Sequence, residues 1–124
     1  MMIMIAAQAA AAASPQVAIS ADLQASAAAW NRGDLAAFMR IYADDAVFVG
    51  KALVSGKAAI TAHYGAAKGR LTVQPLGWRT LSAVHVLVFA RWIVVDGGTT
   101  ESGMTTLPFE RRKAGWRIIS DHSS

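Results

Sequence analysis

The sequence predicts an α+β fold, with helices gathered in the first half and a mostly antiparallel sheet in the second. Two observations carry this reading. From Trp30 to Val49 the chain reads W-N-R-G-D-L-A-A-F-M-R-I-Y-A-D-D-A-V-F-V, two helices meeting at a Gly-Asp corner and feeding a strand. From Leu71 onward, strand-like runs alternate with turn signals at Asp96-Gly97-Gly98 and Ala114-Gly115.

The elements follow in order. Ser14 with Pro15 is a helix start, serine as N-cap and proline at the first helical position. Ile19, Leu23, Ala27 and Trp30 form a stripe at i, i+4, i+8 and i+11, predicting a helix to about Asn31. Gly33 supplies a positive φ to end it, and Asp34 caps the next. Leu35, Phe38, Met39 and Tyr42 share one face of that second helix, about Asp34 to Tyr42. Asp44 and Asp45 are read as solvated residues that terminate it. A strand Ala46–Val49 and a weak hairpin partner Ala52–Val54 precede a third helix, about Gly56 to Ala67. Leu71–Ala83 contains Pro75 and Gly77, which mark an edge strand or a bulge. Val84–Val95 is apolar on both faces, as a covered central strand would be. Met104–Arg112 and Trp116–His122 complete the sheet.

A chain of 124 residues with 54% apolar and 16% charged residues is read as one domain with a real core. Its low charge and mean hydropathy of +0.34 imply apolar surface hidden at a contact between subunits. The net charge is +4, but the basic residues are dispersed, so no nucleic-acid partner is expected. Arg111-Arg112-Lys113 is read as a solvated hairpin end. The chain has no cysteine, which excludes disulfides and thiolate metal sites. Residues 1–13, M-M-I-M-I-A-A-Q-A-A-A-A-A, are too short to span a bilayer, so no membrane partner is expected. They are read either as a short signal peptide, placing the protein in the periplasm or outside the cell, or as an N-terminal extension of a cytoplasmic protein.

The segment G-D-L-A-A-F-M-R-I-Y-A-D-D-A resembles the entry into the first strand of the nuclear transport factor 2-like superfamily. G-W-R-I-I-S-D-H-S-S, residues 115–124, resembles the closing strand of its SnoaL-like, SgcJ/EcaC-type branch of unknown function. The resemblance spans about Ser14 to Ser124. It implies a cone-shaped fold, also called cystatin-like, with three helices on a curved sheet and a homodimer formed through the sheet. It fixes function poorly, because one fold hosts many unrelated jobs. The superfamily includes ketosteroid isomerases, which use a carboxylate base with a tyrosine and a protonated aspartic acid as oxyanion donors. Carried over residue by residue, the tyrosine falls on Ser26, the base on Gly50 and the acid on Leu107. Apart from a weak donor at Ser26 none supports that chemistry.

Along the central strand one face carries Val84, Val86, Val88, Ala90 and Trp92, and the other His85, Leu87, Phe89, Arg91 and Ile93. A cavity has apolar walls and a few polar groups, so the mixed face is expected inward and the plain apolar face toward a partner subunit. Thr105, Leu107 and Phe109 are expected inward on the next strand, and Ser120 and His122 on the last. The candidate catalytic set is His85, Arg91 and His122. Histidine titrates near neutrality, and the planar arginine fork suits a carboxylate or enolate. Arg91 has an alternative as a structural bridge to Asp121 or Glu110. The candidate ligand-binding set is Trp30, Tyr42, Tyr64, Leu87, Phe89, Thr105, Leu107, Ser120 and Asp121. His63 is expected to face solvent. No metal site is assigned, because two histidines lack a third ligand, and no cofactor is expected, because no G-x-G-x-x-G motif occurs.

The function expected is binding of a small apolar or carboxylate-bearing molecule, with isomerase- or cyclase-like catalysis open. The alternative is an association module, since the closing segment is also similar to the end of the calcium/calmodulin-dependent kinase association domain.

Overall fold

A computed structural model describes residues 14–124. The signal-peptide or extension reading of residues 1–13 lies outside the described residues. Helix α1 is Pro15–Asn31, α2 Leu35–Phe38 and α3 Lys57–Tyr64; a 3-10 turn, Met39–Ile41, follows α2. The strands are β1 Tyr42–Val49, β2 Leu53–Ser55, β3 Arg70–Ser82, β4 His85–Asp96, β5 Thr99–Arg112 and β6 Gly115–Ser123. They form one six-stranded sheet in the order β2-β1-β6-β5-β4-β3. Every neighbouring pair is antiparallel except β1 and β6.

The local signals explain the helix boundaries. Ser14 Oγ accepts from the Val17 amide at 3.2 Å, so the serine cap and Pro15 start α1 together. Gly33 lies at φ +80°, and Asp34 Oδ1 accepts from the Ala37 amide at 3.0 Å. The second helix is shorter than the expected Asp34–Tyr42. It tightens into the 3-10 turn, and the strand begins at Tyr42. Asp44 and Asp45 therefore do not end a helix. They stand exposed in β1, within reach of Lys57 at 3.9 Å and Arg112 at 2.8 Å.

One core joins helices and sheet. Ile19, Ile60, Val88, Ala90 and Phe109 are fully buried between them. Edge strand β3 carries the expected irregularity between Pro75 and Gly77. Its free edge is covered by α1: Asn31 donates from Nδ2 to Leu71 O at 2.9 Å and accepts the Leu71 amide on Oδ1 at 2.7 Å, while Gln24 Nε2 donates to Val73 O at 3.2 Å. Asn31 thus acts as one residue of a missing seventh strand, satisfying groups that would otherwise invite edge pairing.

Strand β6 contains a bulge that decides what the cavity is made of. Opposite β5, Ile118 pairs with Phe109 and His122 with Thr106, so β6 advances four residues while β5 advances three. The extra residue reverses the alternation of side chains. Trp116 and Ile118 are buried before the bulge, and Asp121 is buried after it.

Candidate functional site

Between the helices and the sheet lies a cavity of about 530 Å³, within the usual range for small-molecule sites. Its walls are mainly aromatic and aliphatic: Trp30 from α1, Phe38 from α2, Tyr64 from α3, Tyr42 and Phe48 from β1, Trp92 from β4 and Leu107 from β5. Tyr64 is the hub. Its ring lies 5.8 Å from Trp30, 5.3 Å from Phe38 and 5.9 Å from Phe48, each edge-to-face. That arrangement matches ring edges to ring faces and fixes the shape of the wall.

One charged group is buried in this wall. Asp121 is 4% exposed, and hydroxyls surround its carboxylate. Tyr42 Oη donates to Oδ2 at 2.6 Å and Tyr64 Oη at 3.4 Å. Thr105 Oγ1 donates to Oδ1 at 3.0 Å and Ser123 Oγ at 2.5 Å. Ser123 Oγ also lies 3.1 Å from Thr105 Oγ1. Four hydroxyls thus do the work that water would do for this carboxylate. Burial, reinforced by the Asp121 charge, pushes both phenols above the ordinary tyrosine range, so both stay protonated as donors.

Of the expected ligand-binding residues, Trp30, Tyr42, Tyr64, Thr105, Leu107 and Asp121 line the cavity. Leu87, Phe89 and Ser120 do not, and neither do His85, Arg91 or His122. The face assignment of β4 is therefore reversed. Val86, Val88 and Ala90 are buried against the helices, while Phe89 and Arg91 are exposed on the other side. The physical reason is dehydration: the helix-covered face admits no water, so an Arg or His placed there would need a buried partner. His122 is exposed because the bulge gives its inward place to Asp121. Ser26, under the carried-over tyrosine position, spends its hydroxyl on Phe38 O at 2.8 Å.

His85 belongs to a polar chain on the outer sheet face. Its Nδ1 lies 3.0 Å from Ser82 Oγ and its Nε2 2.8 Å from Glu110 Oε2. Arg112 Nε donates to Glu110 Oε1 at 2.7 Å, and its other nitrogen reaches Asp45. This chain ties the β3–β4 hairpin end to β5 and β1. Arg91 joins neither Asp121 nor Glu110 among the ion pairs of the described residues. His63 is exposed and stacks on Phe48 at 4.7 Å.

The sequence reading missed Ser123, Phe38 and Trp92, and the charged residues at the cavity, Lys68, Asp96 and Glu101. Trp92 could be found only by reversing the β4 parity. Its Nε1 is buried without a partner. Its ring edge packs where a Gly103 side chain would stand, 2.8 Å from that position. Among the described residues no group of three or more His, Cys, Asp or Glu is placed to hold a metal, and no helix is long and apolar enough to cross a membrane.

The fold defines a class that comparison bears out. The SnoaL-like domain family matches residues 23–116, and the chain belongs to that family. Among solved structures it is similar to a nuclear transport factor 2-like protein of unknown function from Shewanella oneidensis, with 28% identity over 90% of this chain and 99% of that one, at a TM-score of 0.83. It is also similar to a protein from Thiobacillus denitrificans provisionally assigned as a calcium/calmodulin-dependent protein kinase type II association domain, with 26% identity over 85% and 92% of the chains and a TM-score of 0.70. A ketosteroid isomerase-like protein from Erwinia carotovora atroseptica, 19% identical over 86% and 92% at a TM-score of 0.67, shares the fold. No curated protein matches the chain.

Proposed function

We propose that this protein binds a small, largely apolar molecule in the cavity, with the polar end of that molecule at the Tyr64–Asp121 wall. The observation that carries the reading is a buried carboxylate, served only by hydroxyls, at the side of an aromatic cavity of about 530 Å³. Burying an ion costs several kcal/mol unless it is well solvated. A structural core would be better served by an apolar residue, so the carboxylate is most simply a recognition group. Binding ranks ahead of catalysis because four donors already occupy the acceptor directions of Asp121. An isomerase- or cyclase-like reaction would make Asp121, rather than His85, Arg91 or His122, the proton-transfer group. The test is uptake of the neutral dye Nile red, followed by fluorescence. Wild type should take up the dye, and Ala67→Trp, at an exposed lining position, should weaken uptake about tenfold. Equal uptake by both would defeat the reading.

A second reading, self-association, is favoured by the outer sheet face. Phe89, Val95 and Met104 are exposed there, beside half-buried Leu87 and Ile93. A second copy of the chain pairing through this face would cover it. The two readings are compatible, since the cavity lies on the opposite face.

A further inference from the structure

We propose that the ligand is an organic cation: an apolar amine, protonated at neutral pH, with its ammonium group against Tyr64 and Asp121. This rests on the small-molecule reading above and adds its charge.

Three independent observations point the same way. First, Asp121 has no cationic side chain among its partners; its contacts are Tyr42, Tyr64, Thr105 and Ser123. Hydroxyls solvate a carboxylate without cancelling its charge. In a cavity walled by low-dielectric side chains, that charge acts over a longer range than it would in water. Second, the sign of the cavity is opposite to that of the protein. The chain as a whole carries +4, yet the charged groups lining the cavity are three carboxylates, Asp96, Glu101 and Asp121, and one ammonium, Lys68. Asp96 and Glu101 are exposed, so they extend the negative potential outward. Third, the walls carry the rings of Trp30, Phe38, Tyr42, Tyr64 and Trp92. Rings favour a cation electrostatically and an apolar body by burial, whereas an anion gains nothing from ring faces.

The geometry also supplies a place for the ammonium. The bond from Tyr64 to Asp121 is long, at 3.4 Å, and Tyr64 Oη is 3.5 Å from Tyr42 Oη. Tyr64 is half-buried, so it is the replaceable donor of the four. An ammonium N–H can take its direction on Oδ2 while the Tyr64 oxygen accepts a second N–H. Tyr42, Thr105 and Ser123 keep their places. This reverses the expectation of a carboxylate-bearing ligand held by Arg91, since Arg91 is exposed on the other face of the sheet.

The experiment is titration calorimetry with three probes of similar apolar body: phenethylamine as its ammonium, phenethyl alcohol and phenylacetate. The ammonium should bind about tenfold or more tightly than the alcohol, and phenylacetate most weakly. Asp121→Asn should remove the ammonium's advantage over the alcohol. If Asp121→Asn does not fold, the exposed pair Asp96→Lys with Glu101→Lys replaces it, and should weaken the ammonium and strengthen phenylacetate, each by about threefold or more. Alcohol or phenylacetate binding as tightly as the ammonium, or neither variant changing the preference, would overturn the charge assignment and leave the small-molecule reading standing. Failure of all three probes and of Nile red would remove both.

Discussion

Tyr42 Oη donates a 2.6 Å hydrogen bond to Asp121 Oδ2, joining the first strand of the sheet to the last across 79 residues of chain. The two strands are also parallel neighbours, so this bond lies where the chain's two ends meet in the sheet. The chain has two tyrosines, Tyr42 and Tyr64, and both touch this carboxylate. Burial first, and the Asp121 charge second, raise both phenols above their ordinary value of 10.0. A raised pKa in the folded state contributes stability that is complete below pH 10 and is lost as the pH climbs through the folded values. Tyrosinate absorbance in the near ultraviolet should therefore be absent from the folded protein at about pH 10 and appear together with alkaline unfolding. A full tyrosine's worth of signal near pH 10 with the fold intact would place one phenol in water.

Removing the carboxylate should be costly in a particular way. Asp121→Ala leaves the Tyr42 and Thr105 hydroxyls buried without their acceptor, and should destabilise the protein by roughly 3 kcal/mol in urea unfolding. Asp121→Asn, which keeps the shape, should cost less. In a double-mutant cycle, Asp121→Ala with Tyr42→Phe should show a coupling of about 1 kcal/mol or more. Simple additivity would mean that the 2.6 Å bond does not hold in solution.

Gly69 constrains the cavity from its rim. It lies at φ +111°, and a Cβ there would stand 2.6 Å from Val94 Cγ1 and 3.0 Å from Val95 O. Its carbonyl accepts from Trp30 Nε1 at 2.9 Å. Gly69→Ala should lower stability by about 1–3 kcal/mol and shift the tryptophan emission, because the strain falls on the Trp30 anchor. An unchanged melting curve would show that the rim yields freely.

Self-association through the outer sheet face makes its own prediction. Phe89→Glu places a charge in the middle of the exposed patch, beside Met104 and Arg91. If a second copy covers that face, analytical ultracentrifugation should find wild type as a dimer and the variant as a monomer, with Nile red uptake preserved. A wild-type monomer at high concentration would leave the patch without a partner.

The chain from His85 through Glu110 and Arg112 to Asp45 predicts an acid-side effect. His85, and then Arg112, hold Glu110 below its ordinary value of 4.5; Arg112 holds Asp45 below 3.8. Depressed carboxylates contribute stability that is complete above those values and disappears as the pH falls through the folded ones. Arg112→Gln should therefore be less stable than wild type at neutral pH, and the gap should close as the pH drops below about 4. A gap that persists at low pH would assign the Arg112 effect to packing of its stem.

Much of the fold was legible because short-range chemistry sets it. Ser14-Pro15, Gly33-Asp34 and Asp96-Gly97-Gly98 act within a few residues and mark boundaries that the structure keeps. Pro75 and Gly77 announced irregularity in an edge strand, and β3 has both features. The cavity wall was half legible. Trp30, Tyr42 and Tyr64 follow from helices and a strand entry that must cover a sheet, and Thr105 and Leu107 from clean alternation. The β4 face was misread because both faces are apolar enough to be buried; the choice was settled by which one the alanine-rich α1 and the core residues Ile19 and Phe109 press against, a long-range fact. The β6 bulge left no local mark, since Ile119 and Ser120 are neither glycine nor proline. With it went the central position of Asp121, expected among the ligand-binding residues or as a bridge to Arg91 and found as the buried charge of the cavity wall.

That bulge behaves like a frameshift in a two-letter code. Ahead of it, β6 turns the apolar Trp116 and Ile118 inward; behind it, the same strand turns the polar Asp121 and Ser123 into the cavity. Paired without the bulge, the same residues would turn Asp121 out to water and bring His122 inward, whereas deleting Ser120 would remove the extra residue and leave Asp121 and Ser123 facing the cavity. The chemistry of this cavity is therefore held by the register of one strand as much as by the identity of its residues. A relative with the same β6 residues and no bulge would present His122 in place of Asp121 to whatever it binds.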